Sequence, residues 1–64
     1  MIKYDYFWII MKRNKVSQYK LIMDYHISPA TILRLKRNQY VSLFTIETLC
    51  RALDCNIGDI VTFV

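Results

Sequence analysis

Apolar residues recur along this chain at helical rather than strand spacing. Phe7, Ile10 and Met11 define one inward stripe, predicting a helix from Asp5 or Tyr6 to about Asn14. Asp5 suits its positive end; Lys12, Arg13 and Lys15 suit its negative end. Trp8 lies beside the stripe, where a tryptophan packs at the core or its edge with its N–H wet. After the connector Asn14-Lys15-Val16, Ser17 is an N-cap type with Val16 placed as a staple, predicting a helix over roughly 18 to 24 that turns Leu21 and Ile22 inward. Ser28 is a second N-cap type, and Pro29 follows in the first turn, where a missing N–H costs nothing. That helix runs to Lys36 or Arg37 with Ile32 and Leu35 on its inner face. Between the two lies Tyr25-His26-Ile27: His26 takes the turn, being among the types that tolerate positive φ, and Ile27 plugs it into the core.

The polar-then-apolar segment 38–44 reads as a loop, with Thr45 as the cap of a fourth helix whose stripe is Ile46, Leu49, Cys50 and Leu53. Asp54-Cys55-Asn56 breaks that pattern. Asn56 then caps a short fifth helix, with Ile57, Ile60 and Val61 inward. Residues 2–5 alternate apolar and polar, and the β-branched and aromatic 60–64 favours strand, so the two ends are expected to pair as a small ribbon. The fold class is all-α, with five helices in one domain over 1–64 and short extended segments at both ends.

Composition sharpens this picture in two ways. The chain has 64 residues and is 55% hydrophobic, more apolar material than one small core hides, which suggests an oligomer. Its net charge of +4 suits a polyanionic partner. The longest apolar run, Tyr6 to Met11, is too short to span a bilayer, and no secretory signal is recognisable, so a cytoplasmic protein is expected. Cys50 and Cys55 have no companion pair of ligands and are expected as buried, reduced thiols, with no metal or cofactor. The lone His26 has no nucleophile beside it and no phosphate loop is present, so catalysis is not expected.

Two helices joined by a tight turn, the second outwardly basic, have the layout of a helix-turn-helix DNA reader. The outer face of the second carries Ala30, Thr31, Leu33, Arg34 and Arg37. In a major groove, Pro29, Ala30 and Leu33 offer apolar contact, Thr31 a hydroxyl, and Arg34 a fork matching guanine O6 and N7. Gln18 at the preceding helix start is placed for a phosphate, and Ser28, Lys36, Arg37, Asn38 and Gln39 for the flanking backbone. Trp8, Phe44 and Phe63 are candidates for a homodimer contact.

Ser17-Gln18, Ile27-Ser28, Thr31-Ile32 and Leu35 resemble the helix-turn-helix of Cro and phage-repressor proteins. The later run Thr45-Ile46-Glu47-Thr48-Leu49-Cys50, with Ala52-Leu53-Asp54-Cys55 and Gly58-Asp59-Ile60, resembles small single-domain XRE-like regulators of bacteria, and so does Tyr4 to Met11. His26 stands where that family usually has a glycine, and Leu33 is larger than the residue usual on the outer face. The resemblance implies a sequence-specific transcriptional regulator of bacterial or mobile-element genes, a homodimer on double-stranded DNA that reads an inverted repeat. The alternative is a protein-interaction module, an antirepressor or partner of a larger regulator, using the same helices without DNA.

Overall fold

The computed structural model describes residues 1–64. Strand β1 (Ile2–Lys3) leads into helices α1 (Asp5–Arg13), α2 (Gln18–Tyr25), α3 (Pro29–Lys36), α4 (Leu43–Leu53) and α5 (Ile57–Ile60), and strand β2 (Thr62–Phe63) closes the chain. The two strands pair antiparallel, Ile2 opposite Phe63 and Lys3 opposite Thr62, so the expected terminal ribbon forms. Beyond it, the Val64 N–H donates to the Met1 carbonyl at 2.9 Å.

The helix starts follow side-chain chemistry. Ser17, Ser28 and Ser42 sit in extended backbone, and each hydroxyl accepts a hydrogen bond from an N–H of the first turn: Lys20 at 3.0 Å, Thr31 at 3.1 Å and Thr45 at 3.1 Å. Thr45, expected as the cap of the fourth helix, is therefore inside it. Leu43 and Phe44 belong to the first turn rather than to a loop, because Ser42 reaches the free N–H first. At α5 the Asn56 N–H donates to the Asp59 carboxylate at 3.1 Å.

The ends of the first four helices share one device. Each is followed by a left-handed residue, and none of the four is glycine: Lys15 (φ 56°), His26 (φ 59°), Asn38 (φ 55°) and Asp54 (φ 51°). The reversed backbone lets a following N–H return to the last turn: Val16 to Met11 at 3.0 Å, Gln39 to Arg34 at 2.9 Å and Cys55 to Cys50 at 3.0 Å. His26 thus occupies the turn in the positive-φ conformation its residue type tolerates.

One apolar cluster lies beneath all of this. Phe7, Leu21, Leu35, Leu49 and Ile60 are fully enclosed, joined by Tyr4, Ile10, Met11, Ile27, Ile32, Ile46 and Leu53. Burying each such side chain stabilises the fold by about 1.5–3 kcal/mol. Trp8 and Ile22 pack half-buried against the cluster, Trp8 meeting Phe7 edge-on at 4.8 Å. Cys50 and Cys55 are free thiols and only half-buried, short of the full burial expected. Ile57, expected inward, is 53% exposed: it opens α5 at the edge of the core, and Ile60, at the other end of the helix, is fully enclosed. Val61 lies past that helix in extended backbone, half-buried. No helix is long and apolar enough to cross a membrane.

Candidate nucleic-acid interface

Three residues, His26, Ile27 and Ser28, separate α2 from α3. Ile27 is buried and anchors this turn, while the left-handed His26 sends the chain sharply into α3. Ser28 and Pro29 then fix where α3 starts, the serine as cap and the proline in the first turn.

With Ile32 and Leu35 buried, the helical period decides what faces away. Ala30, Leu33, Arg34 and Arg37 follow one another at intervals of three, one and three residues, opposite the buried pair, and all four are exposed. Thr31 lies on one flank, half-buried, and Pro29 and Lys36 on the other, exposed. The helix carries no acidic side chain, so its outer surface is cationic from Arg34 onward. At its start, the Ser28 and Thr31 hydroxyls are 2.9 Å apart, which holds Thr31 in a fixed rotamer.

Gln18 is exposed at the start of α2, one residue after the Ser17 cap. The structure brings it and the outer face of α3 into consecutive elements, as expected. Asn38 and Gln39 are differently employed. The Asn38 amide oxygen accepts from the Tyr4 backbone, and the Tyr4 hydroxyl donates to the Gln39 carbonyl at 2.8 Å. Both residues therefore tie the exit of α3 to the N-terminal segment, leaving the Gln39 side chain exposed. Burial pushes the Tyr4 phenol above its usual range, against a backbone hydrogen bond at Val41 that lowers it.

A second group emerges only in three dimensions. Phe44, Thr45 and Thr48 of α4 line a cleft of about 290 Å³ together with His26, Ser28 and Thr31. The starts of α3 and α4 are thus neighbours. They also share a local design, since Ser42 and Thr45 repeat the Ser28–Thr31 arrangement with hydroxyls 3.0 Å apart. The repeated Ser-x-x-Thr spacing was the available signal for this pairing. Phe44, considered above as a dimer contact, stands beside the entrance of α3, 76% exposed.

A family model described as the Cro/C1-type HTH DNA-binding domain matches residues 7–64. The chain belongs to the Cro/C1-type helix-turn-helix family. Among solved structures, this Cro/C1-type domain is similar to the crystal structure of the transcriptional regulator VanUg, with a TM-score of 0.86 and 26% sequence identity. The match covers 95% of this chain and 81% of that one. No curated protein matches the sequence. Within the Cro/C1-type domain, α2 and α3 with their three-residue turn have the helix-turn-helix layout, and double-stranded DNA is the partner such a domain binds.

Proposed function

We propose that this protein is a sequence-specific transcriptional regulator that lays α3 in the major groove and binds an inverted repeat as a homodimer. The observation that carries this is the outer face of α3, where Ala30, Leu33, Arg34 and Arg37 are exposed opposite the buried Ile32 and Leu35. Arg34 reads guanine through O6 and N7, and Ala30 and Leu33 meet thymine methyls. Gln18, Ser28, Thr31, Lys36 and Arg37 hold the flanking backbone, with the Gln39 side chain and the Asn38 amide NH2 at its far end, and Pro29 offers apolar contact beside Ala30. Phe44 and Thr48 extend the same surface on the side of the α4 start. VanUg, named a transcriptional regulator, supports a regulatory role for this relative. The protein acts in the bacterial cytoplasm on chromosomal or mobile-element genes.

Salt tests the reading. With about six phosphates neutralised by a bound dimer, affinity for the DNA upstream of its own gene falls about a thousandfold between 50 and 200 mM salt. Fluorescence anisotropy on that duplex and on a shuffled one measures both the slope and the preference. Binding that is absent, or equal on the two duplexes, rejects sequence-specific regulation and leaves the protein-interaction module.

A further inference from the structure

The end of α4 brings together the two cysteines of the chain. An extended strand would hold Cys50 and Cys55 about 17 Å apart. Here Asp54 takes the left-handed conformation (φ 51°), and the Cys55 N–H turns back to the Cys50 carbonyl at 3.0 Å. Such a reversal sets the side chain just beyond the cap against one in the last turn of the helix. Met11 and Val16 occupy the equivalent places at the end of α1, and both join the apolar cluster. At the end of α4 both places hold free thiols, each half-buried against that same cluster.

The separation suits a covalent bond. With the 3.0 Å hydrogen bond and the bonds flanking it drawn out straight, the two Cα atoms lie at most about 6.9 Å apart. The bends of the real path bring them within the span of about 4.4–6.8 Å that a disulfide needs. The thiols also act on each other: Cys55 is pushed up to about 11 by burial first and by Cys50 next. Cys55 lines an open cleft of about 190 Å³ with Tyr6, Arg13 and Asn14, which gives a small oxidant access to the pair.

We propose that Cys50 and Cys55 are a reversible disulfide site, closed within one chain by hydrogen peroxide and reopened by a dithiol, with the folded backbone already in the closing geometry. The inference goes beyond DNA binding and does not rest on it. Burial and the neighbouring Cys50, Asp59 and Asp54 keep the proton on Cys55 at neutral pH, so Cys50 attacks first. Its thiolate sulfur takes one peroxide oxygen, the O–O bond breaks, and the other oxygen leaves as water after gaining a proton. The Cys55 sulfur then attacks the Cys50 sulfenic acid. The S–O bond breaks, and the departing hydroxide carries off the Cys55 proton as a second water. Two thiols are oxidised by two electrons and one peroxide is reduced. Neither cysteine lines the cleft at the start of α3, so closure fixes the joint between α4 and α5 and leaves Ala30, Leu33 and Arg34 as they are.

Peroxide added to the purified protein at about pH 8, where thiolate is more abundant, tests the site. The chain is expected to lose both titratable thiols and two hydrogens of mass, with no covalent dimer. Trypsin cuts after Arg51, between the cysteines, so the fragments on either side stay joined until dithiothreitol parts them. In a glutathione buffer, the ratio of disulfide to dithiol in the folded chain exceeds that in the urea-unfolded chain by more than about tenfold, which separates a pair placed by the fold from one that merely meets by chance. Cys55→Ser, with no second thiol, stops at the Cys50 sulfenic acid, and dimedone labels it more than about tenfold above wild type. The amide NMR signals of α1 and α3 keep their positions on oxidation. Thiols that survive peroxide, a disulfide between chains, equal ratios in the folded and unfolded states, or a native spectrum lost on closure overturns the assignment.

Discussion

The backbone N–H of Tyr4 donates to the Oδ1 of Asn38 across 3.1 Å, joining the segment before α1 to the residue that ends α3. Asn38 has two tasks here: it holds the left-handed φ of 55° and supplies the acceptor for a residue that is only 2% exposed. Alanine loses both and glycine just the second. Asn38→Ala is therefore expected to destabilise by about 1–3 kcal/mol and Asn38→Gly by less. Urea midpoints should rank wild type, glycine, alanine in falling order; a glycine variant as stable as wild type removes the hydrogen bond from the explanation.

Lys15 has the same backbone conformation with an exposed side chain. Lys15→Gly relieves the crowding of a Cβ in the left-handed region and gives back part of the gain through the freer unfolded chain. The net expectation is a stabilisation of about 0.5–1 kcal/mol, seen as a higher urea midpoint. A lower midpoint would show that the lysine contributes something its exposure does not reveal.

The start of α4 separates two hydroxyls that sequence alone does not rank. Ser42 accepts from the Thr45 N–H, so Ser42→Ala leaves that donor unpaired and costs about 1 kcal/mol. Thr45→Ala keeps the cap and costs less. Thermal unfolding of the two variants decides the order, and equal losses would place the cap elsewhere.

Arg34→Ala is expected to keep the melting temperature and lose about 1–3 kcal/mol of discrimination between the preferred duplex and one changed at the contacted guanine. Lys36→Ala should instead weaken binding to both duplexes alike and lower the salt slope by about one. Anisotropy on the two duplexes separates these patterns. If Arg34→Ala weakens both equally, the arginine contacts phosphate.

Alkaline pH should loosen the fold in a residue-specific way. Burial is the main cause that pushes the Cys55 thiol from 9.0 up to about 11, with the neighbouring Cys50, Asp59 and Asp54 acting in the same direction. The folded state therefore keeps a proton that the unfolded chain releases, and this contribution to stability is complete below pH 9 and declines as pH rises toward 11. Cys55→Ala should flatten that decline in urea midpoints taken across the same window. An identical slope in wild type and variant would remove Cys55 as its source.

Most of the architecture was legible because it is written in short-range chemistry. Ser17, Ser28 and Pro29 mark helix starts by side-chain type, and Ile32 and Leu35 mark the inner face of α3 by spacing, so the outer face follows by subtraction. Errors came where two signals of one kind compete or where the period is too short to resolve. Ser42 and Thr45 are both good caps three residues apart, and Ile57 and Ile60 share one face of α5, so spacing does not show which end of that helix reaches the core. The Tyr4–Asn38 contact, the cleft shared by Ser28 and Phe44, and the groove between Ile2 and Ile57 join residues distant in sequence. Only the cleft has a local trace, the repeated Ser-x-x-Thr spacing, and that does not say the two helix starts are neighbours. Gln18 and the α3 face could thus be named from the chain, whereas Phe44 could be noticed as an aromatic yet not assigned to a side of the molecule.

The pairing of Ile2 with Phe63 carries a kinetic consequence. Bringing together positions some sixty residues apart costs about 3–4 kcal/mol of chain entropy before the helices lie down, and almost nothing afterwards. The ribbon is thus expected to zip up last and to fray first. In a newly made chain, Ile2 and Phe63 therefore reach their native places only after the five helices have packed.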